Sequence, residues 1–334
     1  MDCLSVLQGD DGPLPDGPER IYLSVQEVSG DSEKSDLAGL LCWESFANEA
    51  ESDVKLSAEY ERKATALCES GVSSLWLTGF TSLCQARSAV LSVRNCGLPV
   101  YICLVTGDEA GTTLDGDSLL ACLLCLQGLG IKGFGLSGSF ESIESEISKL
   151  LPYVSVELLA LPYLDRPIEV WTACLRWLFE IGIRAIGLYS CEDAFTESTE
   201  MMCRIYDHMA VKYPPRTEDA PILLADSRTV FYLEEDFSLS EPIECEVDML
   251  AQFVAYEDAG YDALLIEVHD NAAAENFALN RDMTRTAVCF LSDDPESLEH
   301  SLRAYVGRAL VDSRSEIPET ELLDIAGRYG AMIR

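Results

Sequence analysis

Residues 98–140, LPVYICLVTGDEAGTTLDGDSLLACLLCLQGLGIKGFGLSGSF, contain one complete strand–loop–helix–strand unit. The apolar and β-branched run at 99–105 is typical of a buried parallel strand. A loop rich in Gly, Thr and Asp follows at 106–116. An apolar helix is then predicted from residue 119, and residues 132–136 begin the next strand.

The ligand end of this unit is expected where its strands end. In parallel barrels and doubly wound sheets, ligands bind at the loops that follow the carboxyl ends of the strands. The loop at 106–116 and residues 137–140 should therefore lie side by side at the functional face. Asp117 or Ser118 is expected to cap the helix between them.

The same alternation of strands and helices continues through the chain and predicts the fold class. Strict alternation indicates parallel strands in a barrel or a doubly wound sheet. Four further strands after the sixth are too few to close an eight-stranded barrel by themselves. We therefore predict an α/β, parallel-stranded, TIM-barrel-like fold, either an incomplete barrel or a hybrid one. The predicted strands are 20–28, 74–80, 99–105, 132–136, 155–161, 184–189, 230–234, 262–268, 286–291 and 308–311.

Composition shifts along the chain predict its domains. Residues 1–19 are acidic, carry Pro and Gly, and are expected to form a mobile arm. A first β/α domain is predicted at 20–213, ending in a long helix at 192–213. The polar stretch at 214–221 begins Pro-Pro-Arg-Thr-Glu-Asp and is the predicted hinge. A partial β/α domain is predicted at 222–334.

The charge balance limits the classes of partner. With 23 basic residues against 58 acidic ones, the formal net charge is −35, so nucleic acid and anionic membrane surfaces would be repelled. A solvated surface, a salty habitat or a basic partner would each account for this acidity. The sequence has no apolar run of about 18 residues, as a transmembrane helix needs. It also lacks the basic start and apolar core of a signal peptide.

Thirteen cysteines without an export signal predict a cytoplasmic protein, because thiols stay reduced there. Most of them lie in apolar segments, which is typical of small buried side chains. Cys122 and Cys125 form a C-x-x-C pattern within the predicted helix, where core packing and a metal or redox role are the two alternatives. A second C-x-x-C is absent.

The loop DEAGTTLDG at 108–116, followed by a helix and a strand ending in GLSGS, resembles the homocysteine-binding barrel of cobalamin-dependent methionine synthases. Residues 61–90 are similar to the preceding helix–strand–helix of that family, and GIRAIG at 182–187 resembles the approach to its zinc motif. SLRAYVGRALVDSR at 301–314 resembles part of the folate (pterin) barrel that follows in the same enzymes. The resemblance covers about residues 20–190 and 222–334.

This resemblance implies ligand-binding residues in the first domain. They are Asp108, Glu109, Thr112, Thr113, Ser137 and Ser139. The zinc-ligating cysteines of the family fall at Gly138 and at residues 189–190, and Cys191 is the only thiol nearby. The glutamate that holds the homocysteine amine falls at Thr78. Because zinc needs several soft or borderline ligands, one cysteine does not complete that site.

The folate resemblance implies further candidates in the second domain. Two positions that are polar in the family are Leu265 and Leu291 here, so pterin ring donors would lack partners. His269 is a candidate because it lies beside Glu267 at a strand end, where function is expected. The candidate residues are Glu234, Glu267, His269, Asp312 and Ser313.

Motif losses at both sites favour one function over two alternatives. We predict a degenerate, methionine-synthase-like binding or regulatory protein of one-carbon metabolism, without zinc-dependent methyl transfer. The first alternative is an active homocysteine or corrinoid-linked methyltransferase that a partner chain completes. The second is a structural subunit of an assembly, since open parallel sheets leave unpaired edges. Zinc, folate and cobalamin are implied by the resemblance alone. The implied partners are a small molecule, a cobalamin-binding protein or a second copy of the chain.

Overall fold

A computed structural model of the chain describes residues 2–6, 22–27, 35–42, 53–69, 71–163, 167–188 and 222–334. The chain divides into two compact units. The first comprises Met1–Leu119 and Ile131–Pro215, and the second comprises Leu120–Gly130 and Arg216–Arg334.

Eight strands close the first unit into a barrel in sequence order. Seven run parallel, whereas the second pairs antiparallel with both of its neighbours. The strands are β1 (Asp2–Val6), β2 (Tyr22–Glu27), β3 (Ser35–Cys42), β4 (Ser74–Phe80), β5 (Val100–Val105), β6 (Gly133–Gly138), β7 (Glu157–Pro162) and β8 (Ile183–Leu188).

Five helices follow the strands from β3 onward. They are α1 (Asp53–Glu69), α2 (Leu83–Val93), α3 (Leu119–Gly128), α4 (Phe140–Leu150) and α5 (Ile168–Glu180). Their apolar residues recur at helical spacing and are buried, as with Phe140, Ile143, Ile147 and Leu150 of α4. From Leu120 onward, α3 belongs to the second unit.

Close packing within the barrel explains one glycine. A Cβ atom at Gly135 of β6 would lie 2.7 Å from both the Cys103 Sγ of β5 and the Leu159 Cβ of β7. Neighbouring side chains therefore fill the space that a side chain at 135 would need, as expected for a filled barrel rather than a pore.

The second unit contains an open, parallel, five-stranded sheet in sequence order and a two-stranded antiparallel hairpin. The hairpin strands are β9 (Ile222–Ala225) and β10 (Val230–Leu233). The sheet strands are β11 (Ile243–Glu244), β12 (Ala263–Glu267), β13 (Ala287–Leu291), β14 (Leu310–Val311) and β15 (Met332–Ile333). Its remaining helices are α6 (Leu250–Asp258), α7 (Asn271–Asn280), α8 (Pro295–Ala304) and α9 (Glu319–Tyr329).

Alternate residues of this sheet pack in two different environments. Leu265, Cys289 and Leu310 form one buried cluster with Leu224 and Leu233 of the hairpin. On β13, the next residue after Cys289 is Phe290, which packs against helical aromatics instead. Its ring meets that of Phe277 in α7 edge-on at 4.9 Å. The hairpin thus covers one face of the sheet, while helices cover the other.

The parallel α/β, barrel-type architecture predicted from the sequence is confirmed. The first unit closes with its own eight strands, so it does not share strands with the second. Closure uses β1 and β3, which were not predicted, and β1 lies inside the segment expected to be a mobile arm. β1 has only five residues, too few to show a periodicity, and its two pairing partners are distant in sequence. The predicted helix at 192–213 and the hinge at 214–221 lie outside the described residues.

No helix in the described part of the chain has the length and apolar character needed to cross a membrane.

Candidate functional site

The loop that follows β5 bonds mainly to itself. The Gly107 amide donates to the Thr112 carbonyl at 2.9 Å, and the Thr113 amide donates to the Asp117 carbonyl at 2.8 Å. The Thr112 hydroxyl donates to the Glu109 carbonyl at 2.8 Å, and Thr113 is buried. These backbone and hydroxyl groups are already satisfied, so the loop has a structural role as well as its predicted position at the functional face.

Two aspartates of this loop hold the start of α2. The Asp117 carboxylate, which is buried, accepts a 2.7 Å hydrogen bond from the Leu83 amide at the first residue of α2. The Thr81 hydroxyl donates to Asp115 Oδ2 at 2.7 Å. The sequence predicted Asp117 or Ser118 as the cap of α3, and the structure shows that the Asp117 carboxylate binds the first amide of the preceding helix, α2. Sequence spacing did not indicate this contact, which spans 34 residues.

The end of β6 leaves little room for a metal ligand. A Cβ atom at Gly138 would collide with the Thr106 hydroxyl. The Ser137 carbonyl accepts a 2.9 Å hydrogen bond from the Thr106 amide. The Ser139 hydroxyl caps α4 by accepting from the Ser142 amide at 3.2 Å. The position where the resemblance expects a zinc-ligating cysteine is thus occupied by a neighbouring side chain.

The described residues do not fit zinc. Among them, no group of three or more His, Cys, Asp or Glu side chains is arranged to hold a metal ion. Cys191 and residues 189–190 lie outside the described ranges. Asp108 and Glu109 are exposed on the loop, and Thr78 is buried in β4. No chemical step through zinc follows from this strand end.

Glu146 has a buried carboxylate, and it was not among the residues predicted from the sequence. It lies in α4, and its Oε1 accepts a 2.7 Å hydrogen bond from the exposed Lys149 ammonium. Its Oε2 would be 3.9 Å from a Cβ atom at Gly111 in the loop after β5. The available signal was its spacing, because a carboxylate three residues after Ile143 falls on the apolar face of the helix.

The second unit has an open pocket of about 570 Å³ on the hairpin-covered side of its sheet, at the carboxyl ends of β14 and β15. This volume lies within the range of about 300–1,000 Å³ that small-molecule sites occupy. Two residues predicted as ligand-binding, Asp312 and Ser313, line it. The full lining is Leu239, Ser240, Glu241, Pro242, Leu265, Asp312, Ser313, Arg314 and Arg334.

Asp312 and Arg314 form the strongest polar contact of this pocket. Asp312 has a side chain only 4% exposed, whereas that of Arg314 is 63% exposed. The guanidinium donates to both carboxylate oxygens, from Nε at 3.0 and 3.1 Å and from Nη2 at 2.7 Å. The Arg314 amide adds a bond of 2.9 Å to Oδ1. Burial favours a higher pKa for Asp312, but these bonds and the charges of Arg314 and Arg334 together hold it below its ordinary value.

Arg334 and Cys289 complete the surroundings of Asp312. The Arg334 guanidinium carbon lies 5.0 Å from the centre of the Phe237 ring, and its amide donates to the Val311 carbonyl at 3.0 Å. Cys289 is fully buried beneath the strand ends. Burial raises the pKa of its thiol to about 12, so it is not a nucleophile at neutral pH.

The other predicted residues of the second unit lie outside the pocket lining. Glu267 ends β12, and its carboxylate is 3.8 Å from the Nε2 of the exposed His269. Glu234 is exposed just after β10, where its carbonyl accepts from the Phe237 amide at 3.3 Å. The structure therefore brings together Asp312 and Ser313 but not the remaining three. Arg314 and Arg334 were not predicted, although Arg314 lies three residues after β14 and Arg334 follows β15 directly.

The described pocket does not fit a pterin ring. Leu265, where the resemblance expects an aspartate, belongs to the buried apolar cluster and lines the pocket. Leu291, the second such position, packs against the same cluster. Two ring-edge donors would therefore face apolar side chains, and each unpaired donor costs about 1–3 kcal/mol.

Comparisons with known proteins identify no family. No protein-family model and no curated protein matches the sequence. Among solved structures, the chain is similar to an isomerase from Streptomyces coelicolor A3(2), with 14% identity and a TM-score of 0.34, covering 50% of this chain and 51% of that chain. It is also similar to a protein assigned as a phosphonomutase from Burkholderia cenocepacia J2315. Here the identity is 12% and the TM-score 0.26, with 79% of this chain and 87% of that chain covered. At these scores neither likeness carries an argument about function.

Proposed function

We propose that this chain is a degenerate, methionine-synthase-like protein that binds a small molecule at the carboxyl end of its second sheet. The observation that carries the proposal is the pocket that Asp312, Ser313 and Arg334 line together. The chain would act in one-carbon metabolism as a binding or regulatory protein of the cytoplasm, where its thirteen cysteines stay reduced.

The proposal excludes zinc-dependent methyl transfer from homocysteine. Its support is the side-chain collision at Gly138 and the lack of a ligand cluster among the described residues. Metal analysis of the purified protein, combined with a homocysteine titration by calorimetry, tests this part. Stoichiometric zinc together with micromolar homocysteine binding would overturn it and favour an active methyltransferase.

The binding part of the proposal has a separate test. A set of fluorinated fragments, charged and neutral, is screened against the full chain by ligand-observed fluorine NMR. We expect hits whose binding is weakened by Ser313→Trp, a substitution that fills the pocket from an exposed position. A screen without such hits would remove the support for a small-molecule function.

The edges of the second sheet favour one further candidate, a subunit of an assembly. Within the described residues, β11 and β15 are the edge strands, and each has only two residues. Unpaired strand edges are sites at which another chain can add. Light scattering of the purified chain tests this candidate, since a strict monomer at micromolar concentration contradicts self-association. A cobalamin-binding partner remains a proposal from the resemblance alone.

A further inference from the structure

Arg334 forms no direct ion pair with the described residues of a strongly acidic chain, although its charge acts on the nearby Asp312 carboxylate. Its guanidinium makes no hydrogen bond and no ion pair of 4 Å or less with any residue that the structure describes, and it lies over the Phe237 ring. The chain contains 58 acidic residues and only 23 basic ones, so a carboxylate partner would be easy to supply. Arg334 instead lines the pocket with its donors available.

Arg314 offers a second set of donors to the same pocket. A guanidinium has five N–H groups, and the bonds to Asp312 use the Nε edge and one N–H of Nη2. Both N–H groups of Nη1 and one of Nη2 therefore remain for another acceptor. Because Asp312 fixes the guanidinium plane, these donors are held in place before a ligand arrives.

The charges of the pocket favour an anion at this point. The oxygens of Asp312 are already bonded to Arg314, so they do not compete for a ligand's contacts with Arg334. The exposed hydroxyl of Ser313 adds a neutral donor beside them. Glu241 is the remaining charged residue of the lining, and its carboxylate disfavours a ligand with a second anionic group.

Part of the lining is apolar. Leu239 and Pro242 contribute to it, Leu265 lies buried behind the surface, and the Phe237 ring packs against the Arg334 guanidinium. A ligand whose anionic group contacts the arginines could therefore place an apolar body against this part of the lining.

We propose that the pocket binds a small organic molecule with one anionic group, a carboxylate or a phosphate that contacts Arg314 and Arg334, while an apolar body lies against Leu239 and Pro242. This inference rests on the proposed small-molecule function of the same pocket. Guanidinium groups suit both anions, because their planar N–H pairs match the spacing of two anionic oxygens.

Fluorine NMR titrations of the full chain test the inference with matched probes. The anions are 4-fluorobenzoate and 4-fluorophenyl phosphate, and 4-fluorobenzamide is the neutral control of similar shape. We expect at least one anion to bind with an affinity about tenfold or more above that of the amide, as one charge-assisted contact supplies. The anion that binds more tightly shows whether the pocket prefers a carboxylate or a phosphate group.

Arg334→Gln is the decisive variant, because this arginine has no described ion pair to lose and the protein should remain folded. We expect the variant to weaken anion binding about tenfold and to leave amide binding unchanged. Arg228→Gln removes an equal charge from the exposed turn between β9 and β10, outside the pocket, and should change neither. Circular dichroism confirms that both variants are folded.

Three results overturn the inference. If the amide binds as well as both anions, and Ser313→Trp weakens it, the pocket binds small molecules but does not select anions. If Arg228→Gln weakens anion binding as much as Arg334→Gln, the effect reflects net charge rather than this pocket. If neither the anions nor the amide bind, and the wider fragment screen is also negative, the small-molecule function falls together with the inference.

Discussion

Arg314→Gln should destabilise the second unit because it leaves the Asp312 carboxylate buried without its main partner. Breaking a fully buried ion pair costs about 3–5 kcal/mol. Here the cost is smaller, since Asp312 keeps the Arg314 amide bond and Arg314 itself is 63% exposed. Because solvent screens this pair, we expect Arg314→Gln to lower the free energy of unfolding of the second unit by about 1–2 kcal/mol at pH 7.

The loss should depend on pH in a defined direction. In the wild type, the pKa of Asp312 is lowered, so its contribution to stability is present above the unfolded pKa and is lost as pH falls through the folded pKa. In Arg314→Gln, the folded pKa of Asp312 should be higher than in the wild type, because burial is then opposed only by the amide bond at position 314 and the charge of Arg334. The difference between variant and wild type should therefore be largest at pH 7 and should shrink as pH falls below the unfolded pKa of Asp312, about 3.9.

The stability is measured in urea titrations, with hydrogen exchange in peptides from residues 310–334 as the probe. This probe reports on the second unit alone, since the two units need not unfold together. A double-mutant cycle with Asp312→Asn should give a coupling of about 1 kcal/mol. Arg228→Gln is the matched control and should cost less than about 0.5 kcal/mol. A penalty for Arg314→Gln that is equal at pH 7 and pH 3, or a coupling near zero, would refute this account of the pair.

Three further predictions concern the rest of the chain. Asp117→Ala should lower the first unit's unfolding free energy by about 1–2 kcal/mol in urea titrations, because the buried Leu83 amide at the start of α2 loses its acceptor while the Ser82 cap remains. Asp115→Ala, which removes the exposed bond to Thr81, should cost clearly less. Equal costs would contradict this role of Asp117. Gly107→Ala should lower the free energy of unfolding by about 1–3 kcal/mol in the same urea titrations, because a Cβ atom at this position would lie 2.9 Å from the Thr113 carbonyl carbon. An unchanged stability would show that the loop can move to make room. Cys245 and Cys289 should resist iodoacetamide at pH 8 until the protein unfolds, since burial raises the pKa of each thiol to about 12. Labelling of either of these two residues in the folded chain, detected by mass spectrometry, would contradict this.

Local sequence patterns predicted most of the elements because each is strongly apolar and periodic. β12 and β13, for example, are continuous runs of buried residues that only a strand between covered faces would show. β1, β3, β9 and β11 were missed because they are short or depend on pairing with distant segments. The antiparallel direction of β2 is likewise a property of its neighbours, and no local pattern contains it.

The roles of polar residues were harder to predict than the elements that contain them. Asp117 or Ser118 was expected to cap the helix that follows, and no sequence pattern indicated that the Asp117 carboxylate binds the start of α2, 34 positions earlier. Arg314 follows β14 by three residues, so its proximity to Asp312 could be anticipated, yet its free donors appear only once both side chains are placed. Sequence therefore located the strand ends, while contacts across the fold decided which residues there are free to bind.

The two strand-end regions differ in a way that favours the second as the binding site. In the loop after β5, polar groups are bonded to one another: Thr112 to Glu109, Thr113 to Asp117 and Asp117 to α2. A ligand would have to compete with those bonds, so its net gain would be small. In the second unit, Arg314 and Arg334 keep donors that no described residue satisfies, and burial of Asp312 fixes one of them in position. The loop that carries the family resemblance thus serves mainly the fold, and the binding that we propose depends on two arginines that the resemblance did not indicate.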